Sequence, residues 1–216
     1  MTKTTNNIIK RSLVLLMAAA GLCGQAQADV VNGNFSDGLN GWSVLGSASL
    51  NGNQLWLDTV DPLAVDAGSL ASAAGLSGAL ALDTAAGEAY EGSLLTQSFS
   101  TQAAGQLRFS WQFGTQEDAG ADAAFHDYAF VVVDGNLHRL ASVADGNTGW
   151  QSFNLALGAG QHRVSFGVVD LGDFTADSRV GLSSVQISPV PEPSSIALML
   201  AGLGALGWRG RRNRRA

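Results

Sequence analysis

Apolar and polar residues alternate along Leu107-Arg108-Phe109-Ser110-Trp111-Gln112-Phe113. That period of two is the mark of a strand with one face buried. Phe153, Leu155 and Leu157 repeat it, as do Val164, Phe166 and Val168. Tyr128 to Val133 is apolar throughout, which predicts a central strand. Asp134-Gly135-Asn136 follows as a hairpin turn into Leu137 to Val143, and Gly158-Ala159-Gly160 separates the next pair. Near the end, Val180 and Leu182 share one phase while Val185 and Ile187 share the other. One extra residue at Ser183-Ser184 reconciles them, as in a β-bulge. The predicted strands are therefore 107–113, 128–133, 137–143, 150–157, 162–169 and 180–187. Strands punctuated this often make an all-β sandwich or barrel. Residues 60–89, rich in Ala, Gly and Ser, read as loops around a weak strand at Ala79 to Leu82.

If successive strands alternate in direction, the connections 114–127, 144–149 and 170–179 meet at one end of the sandwich. They carry Glu117, Asp118, Asp122, Asp127, Asp145, Asp170, Asp173 and Asp177. Two readings stand for this end: a solvated acidic rim, or a calcium site, since calcium takes several carboxylate and carbonyl oxygens. There is no EF-hand pattern. Calcium is the one cofactor that the residues suggest.

The two ends of the chain follow other rules. Lys3, Lys10 and Arg11 precede an uncharged apolar run from Leu13 to Gly21, and Ala26-Gln27-Ala28 supplies small residues at a cleavage site. This is a secretory signal helix, with cleavage expected before Asp29. The run is short of the roughly 20 apolar residues that a span needs. The single cysteine, Cys23, lies inside this segment, preceded by Leu22 rather than the small residue of a lipoprotein signal. The rest of the chain therefore has no disulfide, thiol nucleophile or thiolate metal ligand. At the other end, Pro191 and Pro193 impose extended geometry on the segment Val190-Pro191-Glu192-Pro193. A short apolar helix follows from Ile196 to Gly207, then Trp208 and the cluster Arg209, Arg211, Arg212, Arg214 and Arg215. Basic residues beside an apolar helix stay cytoplasmic, which places the preceding chain outside. From Ser194 to Trp208 such a helix covers only about 22 Å, against about 30 Å of hydrocarbon. It suits a transient anchor in the inner membrane.

The order Val190-Pro191-Glu192-Pro193-Ser194-Ser195, short apolar helix, Arg cluster resembles the PEP-CTERM sorting signal over Val190 to Ala216. The resemblance implies an exosortase partner and a Gram-negative bacterium that makes extracellular polysaccharide. It also implies processing near Pro191-Glu192-Pro193 and a final place at the cell surface or in the biofilm matrix. The expected plan is a signal peptide (1–28), one β-sandwich domain (29–189) and a sorting tail (190–216).

Residues 29–189 hold 17 of the chain's 18 carboxylates and only four basic residues, Arg108, Arg139, Arg163 and Arg179. A net charge of −13 excludes nucleic acid and anionic lipid as electrostatic partners. The segment has no Gly-x-Ser-x-Gly elbow and no His-Glu-x-x-His. His126, His138 and His162 lack zinc-ligand spacing and read as surface or loop residues. The opening Val31-Asn32-Gly33-Asn34-Phe35-Ser36, followed by Leu39-Asn40-Gly41-Trp42, is similar to the start of carbohydrate-binding jelly-roll modules. That resemblance implies an antiparallel jelly-roll-like β-sandwich with Phe35 and Trp42 in its core and a tight turn at Gly33. The carboxylates that hold a structural calcium in that family are replaced by Ser36 and by Ser183 or Ser184, so that site is not carried over.

Trp56, Trp111, Trp150, Tyr90 and Tyr128 are the aromatics able to stack on sugar rings. Trp111, in phase with Phe109 and Phe113, belongs to the core. Trp150, just after Asn147-Thr148-Gly149, is the candidate for an exposed stacking residue. The function expected is therefore a non-catalytic surface or matrix protein, with extracellular polysaccharide as ligand. The alternatives are a polysaccharide-active hydrolase and a purely structural matrix protein.

Overall fold

Eleven strands and one α-helix make up the regular structure among the described residues, apart from two short 3-10 turns and a helical fragment at 201–203. The computed structural model describes residues 30–189, except 61, 79, 119, 121, 122 and 175, together with residues 201–203. The strands are β1 (Ser43–Leu45), β2 (Ser47–Asn51), β3 (Gln54–Asp58), β4 (Val65–Asp66), β5 (Ala89–Thr101), β6 (Gly105–Thr115), β7 (Tyr128–Val133), β8 (Asn136–Ser142), β9 (Gln151–Leu157), β10 (Gly160–Leu171) and β11 (Ser178–Pro189). Helix α1 (Ala67–Ala74) lies between β4 and β5.

The strands form two antiparallel sheets. One has the order β1-β5-β10-β7-β8, with β4 beside β5, and the other has the order β2-β3-β11-β6-β9. The pairings β7–β8, β6–β9, β5–β10 and β3–β11 are nested around one hairpin. A long hairpin folded over on itself in this way is a jelly roll. Its tip is the two-residue turn Asp134-Gly135. Both residues have positive φ, 52° and 78°, the conformation whose twist matches paired strands.

The core follows the alternation read from the sequence. Leu107, Phe109, Trp111 and Phe113 of β6 face Val164, Phe166 and Val168 of β10 between the sheets, and Phe35 and Trp42 join this cluster. The bulge falls where the phase change predicts it. Between Ser183 and Gln186, β11 advances three residues while β6 advances two, from Ser110 to Arg108, and Ser184 takes φ 56°. Gly33 lies in the expected tight turn, where Phe35 N–H donates to Asn32 O at 3.0 Å, and it has a second role. It packs against this bulge, where an added Cβ would lie 1.8 Å from the Val185 carbonyl oxygen, and Val185 N–H donates to Gly33 O at 2.8 Å.

The reading of 60–89 needs correction. In place of loops around a weak strand, residues 67–74 form α1, and the described part of Ala79 to Leu82 is a turn, with Ala79 outside the described residues. The Asp66 carboxylate accepts the Ser69 N–H at 2.9 Å as the N-cap, and Gly75 closes the helix at φ 81°. Leu70, Ala71 and Ala74 then pack on Leu94, Tyr128, Phe130, Val132 and Val169. This second apolar layer explains the unbroken run of β7. Ala129, Val131 and Val133 face the other sheet, while Tyr128, Phe130 and Val132 face the helix.

The predicted signal helix and the sorting residues Val190, Pro191, Glu192, Pro193, Arg209, Arg211 and Arg212 lie outside the described residues. Among the described residues no helix is long and apolar enough to cross a membrane.

Candidate functional site

Among the described residues no helix lies over the outer face of the five-stranded sheet. Because Leu55 and Leu57 point inward on β3, Trp56 between them points outward, where it is half-buried. Gly181 of β11 pairs with Trp56 of β3 on one side and with Gln112 of β6 on the other. Lacking a side chain, Gly181 leaves room for the indole, since a Cβ there would approach the Trp56 ring to 3.0 Å. The Arg179 guanidinium lies 4.8 Å from the Trp56 ring centre, a cation–π contact. From the far side of the sheet Trp150 meets Trp56 edge-on, with ring centres 6.4 Å apart. Trp150 is 40% exposed.

The loop before β9 is pinned so that Trp150 lands on this face. Thr115 N–H donates to Asn147 Oδ1 at 2.9 Å and Phe113 N–H donates to Thr148 Oγ1 at 2.8 Å. Thr148 N–H returns a bond to Phe113 O at 2.9 Å. Two side chains thus continue the sheet ahead of the first residue of β9. Beside the indoles runs a groove in two connected parts. One, of about 190 Å³, is lined by Trp56, Gln112, Asn147, Thr148 and Arg179. The other, of about 320 Å³, is lined by Asp58, Thr115, Gln116, Asn147, Asp177 and Arg179. Aromatic faces beside amide, carboxylate and guanidinium groups suit a flat, hydroxyl-rich ligand.

The acidic connections do meet at one end. Gln116 N–H donates to Asp177 O, Val143 N–H to Asp127 O, and Leu171 N–H to Asp127 Oδ1. The eight carboxylates expected there have separate fates. Asp118 accepts the Gly120 N–H, and Asp145 accepts the N–H and hydroxyl of Ser142, so both serve their own loops. Asp177 lines the groove. Asp122 lies outside the described residues. Asp127 and Asp170 are buried, at 1% and 5% exposure, and Asp170 belongs to β10 rather than to a loop. Burial, then the Asp127 and Asp173 charges, pushes the Glu117 carboxyl up to about 8. Burial, then the Asp127 charge, pushes Asp170 to about 9, and burial likewise raises Asp127. A rim that is solvated throughout is therefore not what the chain builds.

Of the aromatics considered, Trp111 and Tyr128 are core residues. Tyr90 packs at a tilt against the exposed Phe174, with ring centres 5.0 Å apart. His162, expected at the surface, is tucked in at the opposite end, with Nδ1 2.8 Å from the Asp134 carboxylate and Nε2 3.1 Å from Gly158 O. Arg179, Asn147 and Gln112 were not singled out by the sequence. For Trp56 and Gln112 the usable signal was phase, since both occupy the polar positions of alternating strands.

Residues 189–215 match the PEP-CTERM protein-sorting motif, so the sorting tail read from the sequence is present. No curated protein matches the chain. Among solved structures, the chain is similar to the K3 cleaved adhesin domain of Lys-gingipain from Porphyromonas gingivalis, at 14% identity over 74% of this chain and 99% of that one, with a TM-score of 0.39. It is also similar to a family 35 carbohydrate-binding module from an environmental isolate, at 22% identity over 50% of this chain and 74% of that one, TM-score 0.24. A third likeness is to a ruminal GH26 endo-β-1,4-mannanase, at 12% identity over 46% of this chain and 19% of that one, TM-score 0.24. At these scores the likenesses carry no argument about function.

Proposed function

We propose that the chain is an exported protein, processed through its sorting motif by an exosortase and placed at the cell surface or in the extracellular matrix. There its β-sandwich binds polysaccharide without cleaving it. The reading rests on the Trp56–Trp150 pair, two indoles held on the uncovered outer face of a sheet beside a polar groove. Indoles of this kind offer large rigid faces to the C–H surface of sugar rings, while Asn147, Gln112 and Asp177 offer hydrogen bonds to hydroxyls. The loops bordering the groove sit at the end opposite Pro189, the last residue of β11. At about 3.3 Å per residue, β11 separates groove from tail by roughly 35 Å. An attached protein would present the groove away from its anchor.

A glycan array probed with the chain, beside a reducing-sugar assay, tests the reading. Binding that Trp150→Ala and Trp56→Ala each weaken by about tenfold or more, with no sugar release, is the expected result. Sugar release would favour the hydrolase reading, for which Asp58 and Asp177, both lining the groove, are the carboxylates to substitute. An empty array would leave the purely structural matrix role. Mass spectrometry of the mature protein tests the sorting half, with Asp29 expected as the first residue and the Arg cluster gone. An intact tail in cells with an active exosortase would refute it.

A further inference from the structure

The antiparallel register that pairs Val169 of β10 with Tyr128 of β7 puts Asp170, the residue after Val169, and Asp127, the residue before Tyr128, side by side and buried where the sandwich interior meets its acidic end. Asp127 Oδ1 accepts the Leu171 N–H at 2.9 Å. Among the described residues, the other oxygen, Asp127 Oδ2, has no hydrogen-bond donor, and neither do Asp170 Oδ1 and Glu117 Oε2. The charges that bear on the pair come from Glu117 after β6, Asp173 after β10 and Glu91 on β5, all carboxylates. Carboxylates removed from water without donors or cations are unfavourable, and a buried site must either protonate them or neutralise them with a counter-ion.

We propose that Asp127 and Asp170 hold a divalent cation, calcium from the chemistry of the donors, that clamps the ends of β7 and β10 under the loops bordering the groove. Two carboxylates balance the charge of one such ion. Among the described residues no three His, Cys, Asp or Glu side chains converge as a ready-made cage. The remaining ligands would be neutral oxygens, which calcium accepts as readily in its six- to eightfold shell. The hydroxyls of Ser178 and Thr59 already lie against Asp127 and Asp170, and water completes the set. Glu117 is near enough for the Asp127 charge to raise its carboxyl, but it is not counted among the ligands. Thr59 and Ser178 join β3 to β11, with Ser178 N–H donating to Thr59 Oγ1 at 3.1 Å, so the ion would tie both sheets together. This place is distinct from the contact between Gly33 and the β11 bulge.

The test is calorimetric titration of the chelator-stripped full chain with calcium chloride alone at pH 7.5, with the melting temperature recorded in parallel. One ion per chain is expected, with a melting temperature raised by about 5 °C or more at a hundredfold excess over Kd. Asp170→Asn removes one charge from a repelling pair while keeping its shape. It should fold without calcium and lose both heat and shift, and Asp127→Asn is the second variant should it not. Asp118→Asn should retain both responses. No heat and no shift at millimolar calcium would overturn the proposal and leave a carboxyl pair neutralised by protons. A response kept by Asp170→Asn and Asp127→Asn would overturn it as well, by assigning the ion to exposed carboxylates.

Discussion

The two sheets share one core but treat their outer faces in opposite ways. The six-stranded sheet turns Tyr128, Phe130, Val132 and Val169 outward, and α1 with Leu82 covers them. The five-stranded sheet turns Arg108, Ser110 and Gln112 outward and leaves Trp56 and Trp150 uncovered. The first face behaves as a second core, with the Tyr128 hydroxyl, pushed up to about 12 by burial, donating to the Leu82 carbonyl. The second has aromatic rings with no such layer over them among the described residues. On the proposed function a ligand would become the missing layer on this face. The contrast separates aromatics that stabilise the fold from aromatics free to serve recognition.

The largest expected effect lies on the covered face. Phe130→Ala should lower unfolding free energy by about 3–5 kcal/mol, read from urea denaturation, because it opens a cavity between β7 and the layer above it. A loss under about 1 kcal/mol would mean that α1 packs loosely and the two faces are not so different. Next comes the acidic end that both sheets share. Glu117 and Asp170 rise from 4.5 and 3.8 in the unfolded chain to about 8 and about 9 when folded. Between those limits the folded state holds more protons, so stability is greatest at low pH and falls as pH rises through the window. In chelator, the urea midpoint should drop steadily from pH 5 to pH 9, and a midpoint that climbs would contradict the burial of these groups.

A smaller change tests how the cover is attached. Asp66→Ala removes the N-cap of α1 and should cost about 1 kcal/mol, with faster amide exchange confined to 67–74 and the strands beneath. The smallest effect on stability belongs to the open face. Trp150→Ala should change unfolding free energy by less than about 1 kcal/mol while weakening glycan binding, because an exposed ring stabilises little. A severe loss of stability would place Trp150 in the core and remove the contrast between the faces.

The positions of β6 to β11, the Asp134-Gly135 turn and the β11 bulge were legible because each is a local property, whereas β1 to β5 were not among the predicted strands. Alternation, a two-residue turn signal and a change of phase are written in neighbouring residues. Alternating strand direction then implied that the acidic connections share an end, as they do. Helix α1 was not legible in the same way. Its Ala, Gly and Ser residues carry little periodic signal, although Asp66 and Gly75 bracket it as caps. On this face the sequence picked out Trp150, which meets Trp56 beside the groove, while the lining residues Trp56, Gln112 and Arg179 come from β3, β6 and β11 and meet only across the sheet.

The sequence alone determined the sorting tail, the all-β class and the strand phase, since export motifs and period-two burial depend on nearest neighbours in the chain. Tertiary structure decided which face would be covered, which carboxylates would lose water and which tryptophans would meet. Those outcomes depend on residues far apart in sequence. Asp127 and Asp170 are 43 positions apart and Trp56 and Trp150 are 94 apart, and only the nested hairpins bring each pair together.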